Sequence, residues 1–204
     1  MRGAGLVDIR LWQATIANGR LLLASRVEHR GSMVIRQFAA LLTVFLLSAC
    51  ASTYQNQIVT APTSKLIRGK AVVIATPRNG AYDRKEYQSS GRQTALAVQA
   101  AFARYSDSVV VSSRCTSVTC LEAEGVGDYE YLVVPEILHW EDRNTEWSGI
   151  PDRVEIKLVI SNARSKVQLA SIVILGKSKW ATFGGDHPQD LLPHPIKQFV
   201  DSLY

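Results

Sequence analysis

Short apolar runs alternate with polar segments over the carboxy-terminal two thirds of the chain, and this pattern predicts strands and helices in turn. Apolar runs at 71–75 and 109–111 predict two short strands, the first of them buried. Between them, the capping-box residues Ser90 and Gln93 predict a helix that begins near Gly91. One apolar face of this helix repeats at helical spacing: Ala95, Val98, Phe102 and Tyr105. A strand, a helix and a second strand in this order favour parallel pairing with a right-handed crossover.

The segments that follow predict further strands that complete a mixed sheet. We predict a short helix, three strands and a closing helix, in that order, at 115–124, 129–140, 154–160, 168–176 and 195–204. Pro135 inside its strand argues for an edge position or a bulge, and the turn at 162–166 predicts an antiparallel hairpin. Pro195 is expected at the first position of the closing helix, whose apolar face would be Ile196, Phe199, Val200 and Leu203. The order β-α-β-α-β-β-β-α predicts a single α/β sandwich domain with a mixed sheet over 69–204.

A different pattern lies upstream, where a charged start, an apolar run and small residues follow one another. Residues 33–37 carry one positive charge, and the apolar run 38–47 comes next. Ser48 and Ala49 then precede Cys50. This order is typical of a secretory signal peptide, because the run is too short for a bilayer core, which needs about 20 residues. A buried core helix and an uncleaved membrane anchor are the alternative interpretations.

The four residues Leu47-Ser48-Ala49-Cys50 resemble the lipobox of bacterial lipoprotein signal peptides, L-[AS]-[GA]-C, at every position. The resemblance implies that the signal peptide 33–49 is removed and that Cys50 is acylated, palmitate being a typical acyl group. Ala51 in place of an Asp implies export to the outer membrane, with the protein facing the periplasm. Several acyl chains on one residue give stable anchoring, since a single chain binds only marginally. The membrane is therefore an expected partner.

Two segments show no clear periodicity. We interpret 1–32 as an upstream over-extension, with Met33 as the start of translation; a real cytoplasmic extension is the alternative. The polar segment 51–68 is interpreted as a flexible tether with a mean reach of about 25 Å. Ile58 and Val59 within it leave open a short edge strand.

The net charge of +5 suggests a nucleic-acid partner until the charges are located along the chain. Residues 1–49 hold six Arg and only two acidic residues, which leaves 17 basic and 16 acidic residues from Cys50 onward. The segment that folds is therefore nearly neutral. We expect no nucleic acid among its partners.

Three cysteines are present, and lipidation of Cys50 leaves the pair Cys115 and Cys120. Their spacing is not that of a thioredoxin-like motif, and a second pair for zinc is missing. In an oxidising compartment we favour a structural disulfide between them, with two free thiols as the alternative.

The loop after the first strand is the predicted place for a ligand, because ligands favour the carboxyl ends of strands in open α/β sheets. Backbone N–H groups and the helix dipole at the start of the next helix favour an anion. The possible anion-binding residues are Arg78, Ser89, Ser90, Gly91 and Arg92. The alternative is that Ser90 only caps the helix, while Asp83 and Glu86 dilute the positive charge. The sequence contains no phosphate-binding glycine motif.

Two other groups of residues invite a chemical interpretation, and for both we favour a structural one. The densest set of metal-ligand types is Gly184, Gly185, Asp186, His187, Asp190 and His194, where a turn capped by Asp186 or His187 and begun by Pro188 is the simpler interpretation. His139, Glu141 and Asp142 offer acid–base chemistry, but successive strand residues point to opposite faces. Trp140 and Trp147 are possible protein contacts if exposed. We therefore expect no catalytic residue, no metal and no cofactor.

Three segments of the chain, 70–76, 131–147 and 178–192, resemble proteobacterial lipoproteins grouped as domain-of-unknown-function family 4823. The resemblance implies membership but no activity. The sequence thus predicts a non-enzymatic, membrane-anchored periplasmic module that acts through protein or envelope contacts. A small-ligand or anion-binding module using 78–92 is the alternative, and a hydrolase around Asp186 and His187 ranks last.

Overall fold

The structure, a computed structural model, describes residues 52–125, 128–143, 150–179 and 187–204. All of them belong to one compact unit, Cys50–Tyr204. The strands are β1 (Thr53–Thr60), β2 (Val72–Ala75), β3 (Ala81–Tyr82), β4 (Lys85–Glu86), β5 (Val109–Ser112), β6 (Tyr131–Glu141), β7 (Arg153–Asn162) and β8 (Gln168–Lys177). The helices are α1 (Ser90–Phe102), α2 (Val118–Ala123) and α3 (Pro193–Leu203), and a 3-10 helix spans Pro188–Leu191. No helix within the described ranges combines the length and the apolar character needed to cross a membrane.

Six strands form one mixed sheet in the order β1-β8-β7-β6-β2-β5, and β3 and β4 form a separate small hairpin. β2 pairs in parallel with β5 and with β6, while β6, β7, β8 and β1 are successively antiparallel. The predicted α/β class, the parallel pair joined through α1 and the β7–β8 hairpin are therefore confirmed.

The two faces of the sheet carry cores of different size, which β2 shows most clearly. Its Val72 and Ile74 belong to the larger core, together with α1 and α3, whereas Val73 and Ala75 belong to a smaller core under α2. The predicted apolar residues of the two longer helices lie in the larger core, and all of them except half-buried Tyr105 are buried: Ala95, Val98, Phe102, Ile196, Phe199, Val200 and Leu203. The helical spacing in the sequence thus predicted the correct faces.

The segment predicted to be a flexible tether contains a strand. β1 pairs antiparallel with β8 from Thr53 opposite Lys177 to Thr60 opposite Ser171. The tether prediction is wrong for these eight residues, and the edge-strand alternative raised for Ile58 and Val59 describes them. Backbone pairing to β8 holds this polar segment, so that it needs no alternating apolar pattern of its own.

Two prolines occupy positions that differ from or refine the predictions. Pro135 lies in an interior strand, but the pairing of β2 with β6 ends at Val133, so within the described residues this part of β6 pairs with β7 alone. The first position of α3 is taken by Pro193 rather than Pro195. Pro195 still lies in the first helical turn, where a missing N–H costs no hydrogen bond.

Candidate functional site

The start of α1, where an anion was predicted, is closed by contacts within the chain. The Ser90 hydroxyl donates to the Tyr87 carbonyl (2.7 Å) and accepts the Gly80 N–H (2.8 Å). Ser90 is the first residue of the helix, and the preceding Ser89 has φ 69° and makes no side-chain cap. The prediction that Ser90 caps the helix is therefore wrong, because its hydroxyl joins the helix to the loop before it.

Gly91 shows how tightly this helix start packs. A Cβ on Gly91 would lie 2.2 Å from the carbonyl oxygen of Pro77, and its N–H donates to Oδ1 of Asn79 (3.2 Å). An anion at this helix start would compete with these internal partners. Arg92 is exposed on the first turn, and Arg78 is exposed in a neighbouring cleft.

That cleft lies beside the carboxyl end of β2 and the middle of β6, on the side of α2. It has a volume of about 450 Å³, and its polar lining includes Arg78, Ser117 and Glu136. β2 leads on to β5 and β6 leads on to β7, and these two strands lie on opposite sides of the β2–β6 pair, so the connections part in opposite directions at this pair. Such a parting of strands is where ligands bind in open α/β sheets. The five predicted anion-binding residues are thus divided: Ser89, Ser90 and Gly91 lie at the closed helix start, Arg92 on its first turn, and Arg78 in the open cleft.

A second site joins residues that are far apart in the sequence. The carboxylates of Asp142 and Asp152 and a ring nitrogen of His187 offer three ligand atoms within 4.8 Å of one another. His187 Nδ1 lies 3.4 Å from Oδ1 of Asp142. This arrangement has the donor types that a divalent cation uses, and it also suits a charge-assisted pair between a protonated His187 and Asp142. As predicted, His187 precedes a turn begun by Pro188, which is here the 3-10 helix.

Asp152 was missing from the sequence prediction, although it is the most buried member of this group. It accepts the backbone N–H of Arg143 (2.6 Å), and its own N–H donates to the Ser178 hydroxyl (2.9 Å). Burial raises the pKa of the Asp152 carboxyl, and the nearby charge of Asp142 adds to the rise; the Arg143 hydrogen bond acts in the opposite direction. Only the pairing of β6 with β7 brings Asp152 to Asp142, which no spacing in the sequence indicates.

Two of the residues considered for acid–base chemistry, His139 and Glu141, bond to each other instead. Glu141 is 3% exposed and bonds to both His139 (3.1 Å) and Arg143. Burial raises the pKa of Glu141, but the bonds to His139 and Arg143 outweigh it, so that the pKa lies below its ordinary value. Trp140 is 2% exposed, which makes the prediction of a protein contact there wrong.

A bulge in β6 explains why Trp140 points inward. The pairing with β7 shifts between Ile137 and His139, so Leu138 is the extra residue and is 44% exposed. Beyond the bulge, Trp140 pairs with Val154 and joins the larger core.

Cys115 and Cys120 are joined by a disulfide (S–S 2.03 Å). Cys115 is fully buried in the smaller core, and Cys120 lies in α2, where its N–H donates to the capping hydroxyl of Ser117 (3.3 Å). The bond therefore fastens α2 to the loop after β5. The other predicted site residues, Cys50, Trp147 and Asp186 with Gly184 and Gly185, lie outside the described residues.

The edge strand β1 is a surface that the sequence prediction treated only as an alternative. Its eight residues, TYQNQIVT, contain no charge and no proline, and among the described strands β1 has one neighbour, β8. Ile58 and Val59 are 59% and 55% exposed. Natural edge strands are normally protected by charged residues, prolines or strong bulges. The register shift between Ile58 and Thr60 is the single irregularity along this edge.

Comparisons with known proteins place the chain in a family and a fold. A family model described as "Domain of unknown function (DUF4823)" matches residues 64–203. The comparison with curated proteins gave no match. Among solved structures, the PelC dodecamer from Paraburkholderia phytofirmans is similar, with 12% identity, 75% of this chain and 95% of that chain covered, and a TM-score of 0.51. At this identity the likeness shows a shared fold.

Two further solved structures are similar at lower scores. Protein XCC0632 from Xanthomonas campestris, of family DUF330, has 12% identity over 70% of this chain and 92% of that chain, with a TM-score of 0.44. Lipoprotein GNA1162 from Neisseria meningitidis has 11% identity over 65% of this chain and 96% of that chain, with a TM-score of 0.34.

Proposed function

The chain belongs to the DUF4823 family of domains of unknown function, and we propose that it is an outer-membrane lipoprotein whose periplasmic domain acts by binding another protein. In this proposal acyl chains on Cys50 hold the protein in the membrane. The domain itself is not an enzyme. Its partner adds a strand to the sheet along β1.

The exposed edge of β1 is the observation that carries the proposal. A strand with a free edge presents a row of backbone donors and acceptors, and an extended segment of another chain satisfies them by joining the sheet. The uncharged residues of β1 that follow Tyr54 give such a segment an edge to pair with. Exposed Ile58 and Val59 add apolar contacts, which give a partner both affinity and register.

Two other observations support the export of the protein and its assembly. The Cys115–Cys120 disulfide suits an oxidising compartment such as the periplasm, because thiols stay reduced in the cytosol. The PelC structure, which shares the fold, is a dodecamer. Further copies of this chain are therefore one class of partner for β1, alongside other envelope proteins.

Crosslinking in intact cells, followed by mass spectrometry of the partners, tests this proposal. The informative variant is Ile58→Lys, because a lysine on an edge strand blocks pairing with a further strand. Val167→Lys is the matched control, since Val167 is similarly exposed (56%) but lies in the turn between β7 and β8. We expect crosslinked partners with the wild type and the control, and their loss with Ile58→Lys. Equal recovery of partners with both variants would contradict binding through β1.

The cleft beside Arg78 supports a second candidate function, the binding of a small anion. Its position at the carboxyl end of β2, beside β6, and its exposed guanidinium are the relevant observations. Titration with inorganic phosphate and with nucleotides should then raise the melting temperature of the wild type but not of Arg78→Gln. An unchanged melting temperature of the wild type counts against this candidate.

A further inference from the structure

We propose that the end of the sheet where β1 begins lies directly against the anionic surface of the membrane that holds the anchor. This end comprises Thr53, Ile150, Arg153 and Lys177, and we name it the anchor end. The inference rests on the proposed function in one respect, the acylation of Cys50. It adds the side on which the domain meets the bilayer and the residues that contact lipid headgroups.

The length of chain between the anchor and the fold is the first reason. β1 begins at Thr53, three residues after Cys50. Three fully extended residues reach about 10 Å. A flexible segment of 18 residues would have let the domain turn freely at a distance of about 25 Å. With β1 paired to β8 from its first residue, the start of the sheet instead stays next to the headgroups.

The charges at the anchor end are the second reason. Thr53 pairs with Lys177, and Lys177 pairs on its other side with Arg153, so two cations lie opposite each other beside the first residue of the fold. The next residue across the sheet from Arg153 is Glu141, whose carboxylate is buried and bonded to His139 and Arg143. The side chains of Arg153 and Lys177 are exposed, and within the described residues neither takes part in an ion pair. Like charges directly across a strand pair repel each other. A phosphate group from a lipid relieves this repulsion.

Among the described residues, three acidic side chains near this end are buried or already partnered. Glu141 is buried and paired with Arg143, and Asp152 is buried and accepts a backbone N–H. Asp142 is half-buried beside His187. In the part of the chain that the structure describes, the exposed charged residues at the starts of β1 and β7 and at the end of β8 are therefore Arg153 and Lys177. Ile150, which is 45% exposed, adds an apolar side chain close to them in the sequence.

The proposal fixes an orientation, because it sets β7 end-on to the membrane. Ten residues of β7 separate the anchor end from the turn at 163–167 by about 30 Å. The free edge of β1 then points sideways, parallel to the membrane plane. That edge is open to other proteins anchored in the same membrane.

Quenching by brominated lipid tests the orientation in the acylated full-length protein purified from cells. An environment-sensitive label is placed on Ile150→Cys at the anchor end, and on Arg164→Cys at the opposite end of β7 as the matched control. Both proteins are reconstituted into vesicles of phosphatidylcholine and phosphatidylglycerol that carry bromine on the acyl chains. The label at 150 should lose most of its fluorescence, and the label at 164 should keep it.

A charge reversal then tests the contact itself. Lys177→Glu in the Ile150→Cys protein changes the local charge by two. The equilibrium between the end-on orientation and other orientations of the domain should then shift away from the end-on one by about 25-fold. The label at 150 should recover its fluorescence. Glu122→Lys, at a distance from the anchor end, should leave the quenching in place.

Intact mass of the same samples separates the two possible failures. A Cys50 without acyl chains contradicts the proposed function and removes the basis of this inference. If Cys50 is acylated but the labels at 150 and 164 keep equal fluorescence, the membrane contact is overturned and the anchoring is not. The same conclusion follows if Lys177→Glu leaves the quenching at 150 unchanged.

Discussion

Reduction of the Cys115–Cys120 disulfide should lower the free energy of unfolding by about 2 kcal/mol. The bond joins residues with a sequence separation of 5. In the chain-entropy model, a closed loop of this size removes about 7 cal/mol/K from the entropy of the unfolded chain, which gives about 2 kcal/mol at 25 °C. Both sulfur atoms remain after reduction, and Cys115 is fully buried in the folded state. Burial therefore changes little, and the loop entropy dominates the effect.

Urea unfolding with and without reductant measures this difference directly. The protein should carry Cys50→Ser, so that the pair alone responds to reductant. With a slope of roughly 2 kcal/mol/M, the midpoint should fall by about 1 M. The double variant Cys115→Ala/Cys120→Ala is the control and should not respond to reductant. An unchanged midpoint in the protein with the pair, or alkylation of both thiols before reduction, would refute the reasoning.

Three substitutions test the local contacts described above. Gly91→Ala should cost about 1–3 kcal/mol, because its Cβ would collide with the Pro77 carbonyl, and urea unfolding beside the exposed control Arg92→Ala measures it. Asp152→Asn should stabilise the protein at pH 7. Burial raises the pKa of Asp152, so the ionised carboxylate of the wild type costs folding free energy at neutral pH. The advantage of the Asn variant should vanish as the pH falls below 3.8, where the wild-type carboxyl is protonated in both the folded and the unfolded chain. Glu141→Gln should cost about 1–3 kcal/mol at pH 7, and since the pKa of Glu141 is lowered, the difference from the wild type should shrink as pH falls below 4.5. Unfolding curves at several pH values measure both; a stability difference that does not change with pH contradicts either assignment.

The helices and interior strands could be predicted from the sequence because their periodicity records which face is buried. The face of α1 is an example, since Ala95, Val98 and Phe102 are buried as the spacing predicts, while the off-face Leu96 is 45% exposed. The parallel pairing of β2 with β5 followed from the helix between them. Local patterns are sufficient where a residue's environment is set by its own element.

The prediction failed where a distant partner decides the local structure. β1 has the composition of a loop, and its partner β8 lies more than a hundred residues later. The extra residue Leu138 reverses the alternation of β6, and this places Trp140 in the core rather than at the surface. Spacing alone predicts neither effect, because both depend on pairing between strands.

The grouping of Asp142, Asp152 and His187 has the same origin. The β6–β7 hairpin brings the two carboxylates together, and the chain after β8 returns His187 to them. The sequence indicated His187 and Asp142 separately, as members of different clusters. Only the fold makes them one group.

The intact mass of the protein recovered from cell membranes tests the proposed anchoring most directly. The mature chain should begin at Cys50 and carry a diacylglycerol on the sulfur and an acyl chain on the amino group, which together give a stable anchor. The mass lost on treatment with mild base should then correspond to the ester-linked acyl chains. The mass gained on reduction should correspond to one disulfide. A chain that begins upstream of residue 50, or one with an unmodified Cys50, would contradict the anchored protein proposed above.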